Sequence, residues 1–531
     1  MTMTPDPKHW TTVQVLDRQS QERPDQLAIR FIDGPSYTFS ELRQLSIQIS
    51  SGLAAQGIAA QSKVASLLEN CPELVGIWLG CHQLDAVFVG LNPALKGPFL
   101  AHSLTLSEAQ VVICHQAHLA MLESMANELT CLHTVFVVDS SETTQLPNIK
   151  VLPFSHLYDT PIKTQHPQAC FSDLAALIFT SGTTGPSKAV MMPHAHCYLY
   201  GQGCIDNLEL TSDGRYYITL PLFHANGLFM QLYACLIAGA EAVIRRKFSA
   251  SQWLHDVCHY QITHTNLLGV MAEFITSQPT SNLDRAHHLR VIAAAPASAE
   301  RIDLFEQRFG IQMVELYGMS EVNIPLYTPL SAPRPGSCGK AYHRYFEVRI
   351  ANPHTDLPCH TDEVGEIQVR PKIAGCFMSG YYRMPEATLQ AWRNLWFHTG
   401  DAGFQDKDDY FYFVDRLSDC LRRRGENISS YEVESALLTH PDISECAVIG
   451  VTAGSIDNEQ EVMAVIVSDI RLNFEEVLLY ATEHIPAYAL PRYFRQVSAE
   501  ALPRTSTNKL RKVVLREQGV TEDTWDANHP L

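Results

Sequence analysis

The sequence predicts an α/β protein with a large N-terminal domain of layered α/β sheets, a small barrel-like β part, and a small α+β domain at the end. Three observations predict this class. Short apolar runs alternate with helical patterns through the N-terminal part of the 531-residue chain. Alternating or aromatic-rich runs follow at residues 364–370 and 410–414. The composition then changes after Arg416, because residues 417–424 are polar and basic.

The N-terminal elements follow from their apolar runs. Leu174–Thr180 predicts a short buried strand, which enters a Ser/Gly/Thr-rich loop with a helix-like stretch behind it. Residues 242–244 and 290–294 predict further interior strands, each preceded by a helical segment. Such alternation is typical of sheets with helices on the outside. The runs at 364–370 and 410–414 predict antiparallel strands of the smaller β part.

The C-terminal pattern predicts a domain of its own. We expect helices at residues 431–439 and 474–484, and strands at 447–451, 462–467 and 493–497. About 115 residues of mixed structure are enough for a separate domain. The predicted domains are therefore residues 1–416 and residues 417–531.

Composition excludes several classes of function. Lys and Arg total 39 against 57 Asp and Glu, a net charge of −18, so nucleic acid is not an expected partner. A phosphate-bearing ligand then needs a local binding device. The 14 cysteines form no Cys-x-x-Cys pair, and the chain start lacks the features of a signal peptide. No run reaches the roughly 18 apolar residues of a membrane span. We expect reduced thiols in a cytoplasmic protein.

The segment from Thr180 to Lys188 is the most informative part of the chain. Hydroxyl side chains and glycines follow a buried strand, and backbone N–H groups in such a loop can surround a polyphosphate while Lys188 supplies charge. The segment is not a Walker loop, because Ala189 stands where Ser or Thr would bind magnesium. The residues of the loop proper are Thr180, Ser181, Gly182, Thr183, Thr184 and Gly185.

Seven further motifs follow the loop, at residues 220–227 (Leu-Pro-Leu-Phe-His-Ala-Asn-Gly), 293–296, 317–321 (Tyr-Gly-Met-Ser-Glu), 396–401 (Trp-Phe-His-Thr-Gly-Asp), 415–416, 425–427 and 503–509. With these motifs in this order, the chain resembles the adenylate-forming superfamily of acyl-CoA synthetases, nonribosomal-peptide adenylation domains and firefly luciferases. The resemblance covers nearly the whole chain. Residues 423–434 and 70–73 look most like crotonobetaine/carnitine-CoA ligases and their relatives.

The resemblance implies a nucleotide site that takes ATP with Mg²⁺. Glu321 and Thr180 match the magnesium-side residues, and Asp401 matches the carboxylate that holds the ribose hydroxyls. Arg416 matches an arginine on the ribose and phosphate side. The remaining expected contacts to the nucleotide come from Ala294, Ala295, Pro296, Tyr317, Gly318, Met319 and Ser320.

The resemblance also implies a mobile C-terminal lid and a second substrate, coenzyme A. Lys509 matches the catalytic lysine that bridges carboxylate and phosphate during adenylation, although Asn508 replaces the more usual glycine before it. Gly425 falls where a missing side chain opens the pantetheine path. His224 falls where the family gates the acyl tunnel. The expected reaction joins a carboxylate to CoA through an acyl-adenylate.

Several alternatives stay open from the sequence. The adenylate could pass to an amine or to a carrier protein, or the chain could be a non-catalytic binding protein. The basic clusters at 245–247 and 422–424 are either solvated charge or sites for the phosphates of CoA. His255 and His259 have helical spacing but no third ligand, so we expect no metal site there. A homodimer is left open. The candidates for the acyl pocket carry no clear charge, so they do not identify the acid; they are Asn226, Met230, Met319, Val322 and Asn323.

The first prediction concerns Lys509→Ala. Because the lysine should act only in adenylation, pyrophosphate release should fall on the order of a thousandfold. Thioester formation from presynthesised acyl-adenylate should stay nearly normal. Equal failure of both half-reactions would contradict a mechanism with two lid positions.

The second prediction concerns the hinge of the lid, which the resemblance places at residues 416–419. At position 418 relatives usually carry Asp or Lys, and this chain has Ser418. Proline fixes φ near −65°, so Ser418→Pro should hinder lid rotation and slow thioesterification more than adenylation. Single-turnover kinetics of each half-reaction measures this. Rates equal to the parent in both would place the pivot elsewhere, with Asp419 the next candidate.

Overall fold

A computed structural model describes residues 6–140, 144–162, 169–180, 187–295, 297, 299–416, 421–423, 426–428, 430–452, 460–503, 510 and 512–528. The chain forms two compact units. The N-terminal unit comprises Met1–Pro93, Leu104–Phe179 and Ala189–Asp415. The C-terminal unit combines Arg416–Leu531 with two short segments, Ala94–Ser103 and Thr180–Lys188. The domain limits expected from the sequence, 1–416 and 417–531, stay a prediction.

The strands up to residue 416 are, in chain order, β1 Leu27–Phe31, β2 Ser36–Thr38, β3 Lys63–Leu67, β4 Val87–Gly90, β5 Val111–Cys114, β6 Thr134–Val137, β7 Thr144–Leu146, β8 Ile149–Pro153, β9 Leu174–Thr180, β10 Lys188–Pro193, β11 Arg215–Ile218, β12 Glu241–Ile244, β13 His264–Leu268, β14 Val291–Ala295, β15 Gln312–Met319, β16 Asn323–Tyr327, β17 Lys340–Ala341, β18 Phe346–Ala351, β19 Gly365–Pro371, β20 Gly380–Tyr381, β21 Trp392–Arg393, β22 Trp396–Gln405 and β23 Phe411–Arg416. The later strands are β24 Leu421–Arg423, β25 Glu426–Ile428, β26 Glu445–Thr452, β27 Gln460–Val467, β28 Tyr493–Val497 and β29 Trp525–Asp526.

The α-helices are α1 Thr12–Glu22, α2 Phe39–Ala55, α3 Pro72–Gln83, α4 Gly97–Ser107, α5 Leu119–Ser124, α6 His194–Leu208, α7 Ala234–Ala238, α8 Ala250–His259, α9 Gly269–Thr276, α10 Ala299–Phe309, α11 Pro385–Ala391, α12 Ser430–Leu437, α13 Phe474–His484 and α14 Lys512–Gln518. A π-helical segment, Asn226–Tyr233, precedes α7. Among the described residues, none of these helices has the length and apolar character that a bilayer crossing requires.

Two large sheets organise the N-terminal unit. Sheet I has the order β20-β10-β9-β4-β3-β5-β6-β8-β7, and sheet II the order β17-β16-β15-β14-β13-β11-β12-β1-β2. Strands β1, β11, β12, β13, β14 and β15 of sheet II run parallel. Parallel sheets require cover on both faces, because crossover helices pack on each. Successive side chains of β11 show this cover, since Tyr216 and Tyr217 belong to different hydrophobic clusters.

Sheet III is the smaller, antiparallel part of the N-terminal unit, with the order β18-β19-β22-β21 and β23 paired to β22. The C-terminal unit has a hairpin of β24 and β25 and a sheet in the order β26-β27-β28-β29. In that sheet Ala447, Ile449 and Val451 face one apolar cluster, which also contains Leu515 of α14. This period of two is the geometry of a β-strand, which the sequence predicts for residues 447–451.

The described elements confirm the α/β class and correct one local expectation. Leu174–Thr180, Phe474–His484 and Tyr493–Val497 have the bounds that the sequence predicts. The stretch after the Ser/Gly/Thr-rich loop, however, begins as strand β10 and only then becomes helix α6. Most residues of β10 are not strong strand formers, so the strand follows from tertiary pairing, because β10 lies between β9 and β20 in sheet I.

The three residues of the basic cluster at 245–247 form ion pairs within the N-terminal unit. Arg245 Nε lies 2.6 Å from Asp256 Oδ2, and the Tyr217 hydroxyl donates to the same oxygen at 2.6 Å. Arg246 and Lys247 both pair with one carboxylate, Glu69. Arg245 thus pairs with a carboxylate that is 2% exposed, which favours a structural role for it, and a CoA-phosphate role for the cluster stays a prediction.

We predict that Asp256→Ala lowers the free energy of unfolding by about 3 kcal/mol or more, since it leaves Arg245 and the Tyr217 hydroxyl without their shared buried acceptor. Urea denaturation measures the change. The matched control is Asp17→Ala, which removes a pair with Arg43 whose side chains are 38% and 40% exposed. The control should cost less than about 1 kcal/mol. Equal costs in the two variants would contradict the buried pair.

Candidate functional site

The expected nucleotide residues of the N-terminal unit collect at the carboxyl edge of sheet II. Ala294 and Ala295 end β14, and Tyr317, Gly318 and Met319 end the neighbouring parallel strand β15. Ligands of open parallel sheets bind outside the carboxyl ends of the strands. A Cβ at Gly318 would lie 2.3 Å from the carbonyl oxygen of Asn323, so glycine permits the close hairpin of β15 and β16.

A hydrogen bond joins this edge to sheet III. The Tyr317 hydroxyl donates to Asp401 Oδ2 at 2.6 Å. The two residues lie 84 positions apart and are 8% and 3% exposed. Asp401 belongs to β22 of sheet III. The bond therefore brings two of the predicted site residues together from different sheets.

Helix α6 holds the backbone between β15 and β16. The Tyr200 hydroxyl donates to the Met319 carbonyl at 2.6 Å. His196 has Nε2 at 2.9 Å from the Ser320 carbonyl and Nδ1 at 2.9 Å from the Cys376 carbonyl. Burial lowers the pKa of His196 to about 4, so the ring is neutral at pH 7 and can donate to one carbonyl at a time.

Glu321 lies directly after this backbone segment and is 7% exposed. The Tyr381 hydroxyl donates to Glu321 Oε1 at 3.0 Å, and the Met378 N–H donates to the Glu321 carbonyl at 3.1 Å. A buried carboxylate needs such partners to offset its lost hydration. Its oxygens are hard ligands of the kind that divalent magnesium prefers.

His224 lies in the segment after β11, and Asn70 from the loop after β3 holds that segment by hydrogen bonds. The Asn70 amide donates to the Leu220 carbonyl at 3.0 Å and accepts from the Leu222 N–H at 2.8 Å. His224 is half-buried, with its ring centroid 4.5 Å from that of Phe223. Asn70 therefore fixes the approach of the chain to His224.

A cluster of buried amides follows His224 at the start of the π-helical segment. Asn226 Oδ1 accepts from Gln231 Nε2 at 2.9 Å and from Asn266 Nδ2 at 2.8 Å. The Tyr216 hydroxyl donates to Asn266 Oδ1 at 2.5 Å, and the Asn266 amide reaches Met230 Sδ at 3.4 Å. Two of the pocket candidates, Asn226 and Met230, thus share one network.

The other pocket candidates sit in the β15–β16 hairpin. Val322 is fully buried, and Asn323 adopts a φ of 74° with its side chain donating to the His196 carbonyl at 3.2 Å. Asparagine tolerates this left-handed backbone better than most residues. Asn323 therefore shapes the hairpin rather than the amide cluster.

The predicted phosphate-binding loop, Thr180–Lys188, is described at its two ends. Thr180 is the half-buried last residue of β9, and Lys188 is the half-buried first residue of β10. Within the C-terminal unit, the Ser187 carbonyl accepts from His102 Nε2 at 2.9 Å, and the Ser187 N–H donates to the Glu432 carboxylate. Burial raises the pKa of Glu432 to about 7.

Some predicted site residues lie outside the described residues. Of Arg416 the structure describes the backbone, as the last residue of β23. The predicted residues outside the description are Ser181, Gly182, Thr183, Thr184, Gly185, Pro296, Ser418, Asp419, Gly425 and Lys509.

Sequence reasoning missed the side chains that hold these residues in place. His196, Tyr200 and Tyr381 reach the segment 319–321 from far along the chain, and neither spacing nor composition marks them.

In the described residues, the group with metal-ligand geometry is Asp356, Glu366 and His398, and His255 and His259 are not part of it.

The chain matches two family models. Residues 16–382 match the family described as AMP-binding enzyme. Residues 432–509 match the AMP-binding enzyme C-terminal domain. The first match alone spans more than half of the chain.

Named relatives and solved structures cover nearly the whole chain. Crotonobetaine/carnitine–CoA ligase of Salmonella typhi is 30% identical over 472 residues, covering 87% of this chain and 89% of that protein. The Escherichia fergusonii enzyme of the same name is 29% identical over 497 residues, covering 90% and 93%. A double mutant of o-succinylbenzoate CoA synthetase from Bacillus subtilis has a TM-score of 0.82 at 26% identity, covering 97% and 99%. ATP-bound MatB from Rhodopseudomonas palustris has a TM-score of 0.69 at 25% identity, covering 95% and 98%.

Proposed function

Since the chain belongs to the family of AMP-binding enzymes and is an ATP-dependent acyl-CoA ligase, we propose how its residues divide the two half-reactions. In the first, a carboxylate attacks the α-phosphate of ATP, and acyl-adenylate and pyrophosphate form. In the second, the CoA thiol attacks the acyl carbon, the thioester forms and AMP leaves. An activated intermediate divides one difficult condensation into two accessible steps.

The Tyr317–Asp401 hydrogen bond carries the proposal for the nucleotide. Asp401 accepts from the ribose hydroxyls, and Tyr317 with the backbone of Ala294, Ala295 and Pro296 encloses adenine. A buried carboxylate fixed by a tyrosine hydroxyl at 2.6 Å is preorganised for such acceptance. Ser320 donates to the α-phosphate, Gly318 and Met319 complete the nucleotide wall, and Arg416 lies on the ribose and phosphate side. The loop Thr180–Lys188 holds the β- and γ-phosphates.

Magnesium fits the donor set that we propose for it. The ligands are Glu321 and Thr180, a carboxylate and a hydroxyl, and both are hard oxygen donors. The buried position of Glu321 and its bond from Tyr381 hold the carboxylate in one orientation. The ion supplies positive charge against the phosphates as the negative charge redistributes.

Lys509, Gly425 and His224 act at the acyl group. Lys509 binds the attacking carboxylate and the α-phosphate during adenylation. The C-terminal domain then rotates about residues 416–419, Lys509 leaves, and Gly425 leaves room for pantetheine. His224 gates the acyl tunnel. Reduced thiols fit a cytoplasmic location, which stays a prediction, as does any homodimer.

Acceptor and acid are tested together. Pyrophosphate release is followed over a panel of carboxylic acids that includes carnitine and crotonobetaine, with CoA, with an amine, or with a carrier protein. We expect AMP and acyl-CoA to accumulate together only when CoA and the preferred acid are both present. An amide product, or transfer only to a carrier protein, would refute the CoA ligase.

The magnesium role predicts different outcomes for two neighbouring substitutions. Glu321→Gln keeps an acceptor for Tyr381 but removes the charge, so adenylation should fall about a hundredfold or more. Excess magnesium should restore it only in part. Tyr381→Phe keeps the charge of Glu321 and removes only its hydrogen bond from Tyr381, so the adenylation rate should fall less. Unchanged turnover of Glu321→Gln at low magnesium would take Glu321 out of the site.

A further inference from the structure

We propose that Glu366 is a positioning residue for ATP, whose carboxylate braces a β-bulge and so directs Asp401 toward the ribose. The proposal rests on the ribose role of Asp401 in the proposed function. It concerns residues of the N-terminal unit alone. Neither motif spacing nor any named relative assigns this role to Glu366.

The bulge is visible in the pairing of β19 with β22. Gly365 pairs with Gly403 and Glu366 with Ala402, but the next pair joins Gln368 to His398. One residue of β19, Ile367, therefore faces three residues of β22: Thr399, Gly400 and Asp401. Gly400 takes a φ of 73°, which favours glycine. Bulges bend a strand and redirect its side chains, and they are frequent beside active sites.

The interrupted ladder leaves backbone groups that side chains satisfy. The Gly400 N–H donates to Glu366 Oε1 at 3.0 Å. The Asp401 N–H donates to Thr399 Oγ1 at 3.1 Å, and the Thr399 hydroxyl donates to the Ile367 carbonyl at 2.6 Å. Buried backbone groups without partners are costly. These two side chains therefore hold the bulge in its observed shape.

Glu366 is itself held tightly at 3% exposure. His398 Nδ1 lies 2.6 Å from Glu366 Oε2, and Gln368 Nε2 donates to the same oxygen at 3.2 Å. Because a carboxylate oxygen can only accept, His398 carries its hydrogen on Nδ1. One carboxylate thus joins the bulge to the side chains on the same face of sheet III.

A metal ion is the competing interpretation of this cluster, since Asp356, Glu366 and His398 are of ligand type. Hydrogen-bond donors already contact the carboxylates of Asp356 and Glu366. Gln368 Nε2 lies 3.0 Å from Asp356 Oδ1 as well as 3.2 Å from Glu366 Oε2. The Arg393 guanidinium already places positive charge here, with Nη2 2.8 Å from His398 Nδ1, and this charge would repel a bound cation. These contacts favour a hydrogen-bonded brace over a bound cation.

The brace acts on catalysis through the last residue of the bulge, Asp401. Its carboxylate lies 2.6 Å from the Tyr317 hydroxyl, so a shift of the bulge would move the ribose contact and the adenine-side tyrosine together. A misplacement of about 1 Å can cost about a hundredfold in rate. Substitution of Glu366 should therefore weaken the binding of ATP and leave the binding of the carboxylic acid unchanged.

The test compares Glu366→Ala, Glu366→Gln and Glu366→Asp by their KM for ATP and by the preference for ATP over 2′-deoxyATP and 3′-deoxyATP. Glu366→Ala should raise the KM for ATP about tenfold and abolish the preference, with the KM for the acid unchanged. Glu366→Gln should recover most of both, because its amide oxygen accepts from the Gly400 N–H. Glu366→Asp keeps the charge but shortens the reach, and it should behave like Ala.

Glu347→Ala is the matched control, because Glu347 is a carboxylate of the same sheet that pairs with Arg370 at the surface. It should leave the preference for ATP unchanged. Retained preference in Glu366→Asp, or in Glu366→Ala where that variant folds, would overturn the proposal. A stoichiometric metal in the purified parent that Glu366→Ala lacks would also overturn it, in favour of a metal site.

The Asp401→Ala variant distinguishes failure of the Glu366 brace from failure of the ribose role of Asp401. Loss of the preference in Asp401→Ala but not in the Glu366 variants overturns the brace alone. A preference that persists in Asp401→Ala, or that the parent lacks, overturns the ribose role in the proposed function, and the brace with it. Loss in both Asp401→Ala and Glu366→Ala, with recovery in Glu366→Gln, supports the proposal.

Discussion

The site of the N-terminal unit depends on one hydrogen bond between two sheets, from the Tyr317 hydroxyl to the Asp401 carboxylate. The central strands of sheet II are parallel and end at this site, whereas sheet III is antiparallel and contributes a bulged strand. At 3% exposure, Asp401 is held where a change of orientation would break a buried polar contact. The position that we propose for the nucleotide is thus preorganised by this bond.

Polar side chains that contact backbone carbonyls do much of the remaining positioning. Tyr200 and His196 hold successive carbonyls after β15, and Asn70 holds both a carbonyl and an N–H after β11. Such contacts fix a loop more tightly than apolar packing does, because an unmade bond inside the protein is costly. The residues that we assign to ligands can therefore lie on loops while keeping defined positions.

The sequence was sufficient for the fold class, the family and the ATP-dependent acyl-CoA ligase activity, which the comparisons confirm. Strand Leu174–Thr180 and helix Phe474–His484 were predictable because their apolar patterns are unbroken. Strand β10 was not, because the Ser/Gly/Thr-rich loop before it resembles the start of a helix. Arg245 could not be distinguished from a surface cation without its partners, since Tyr217 is brought to Asp256 by the packing of α8 on sheet II. His196 lies 124 residues from the carbonyl it contacts, a separation that no local pattern reveals.

This division between ligand residues and supporting residues explains why the motifs were informative and their supports were not. Tyr317, Asp401 and Glu321 stand in short motifs whose residue types match the ligand chemistry that we propose for them, so their spacing carries a signal. Glu366, Tyr381 and Asn70 satisfy backbone or carboxylate groups, and any residue with suitable reach could do so from another position. The hydrogen bonds of Asn226 with Asn266 and Gln231, which we propose for the acyl side, lie in the amide cluster, whereas the Tyr317–Asp401 bond joins sheets II and III. In the proposed function, a change of acyl substrate can therefore proceed in the amide cluster while the Tyr317–Asp401 bond stays intact.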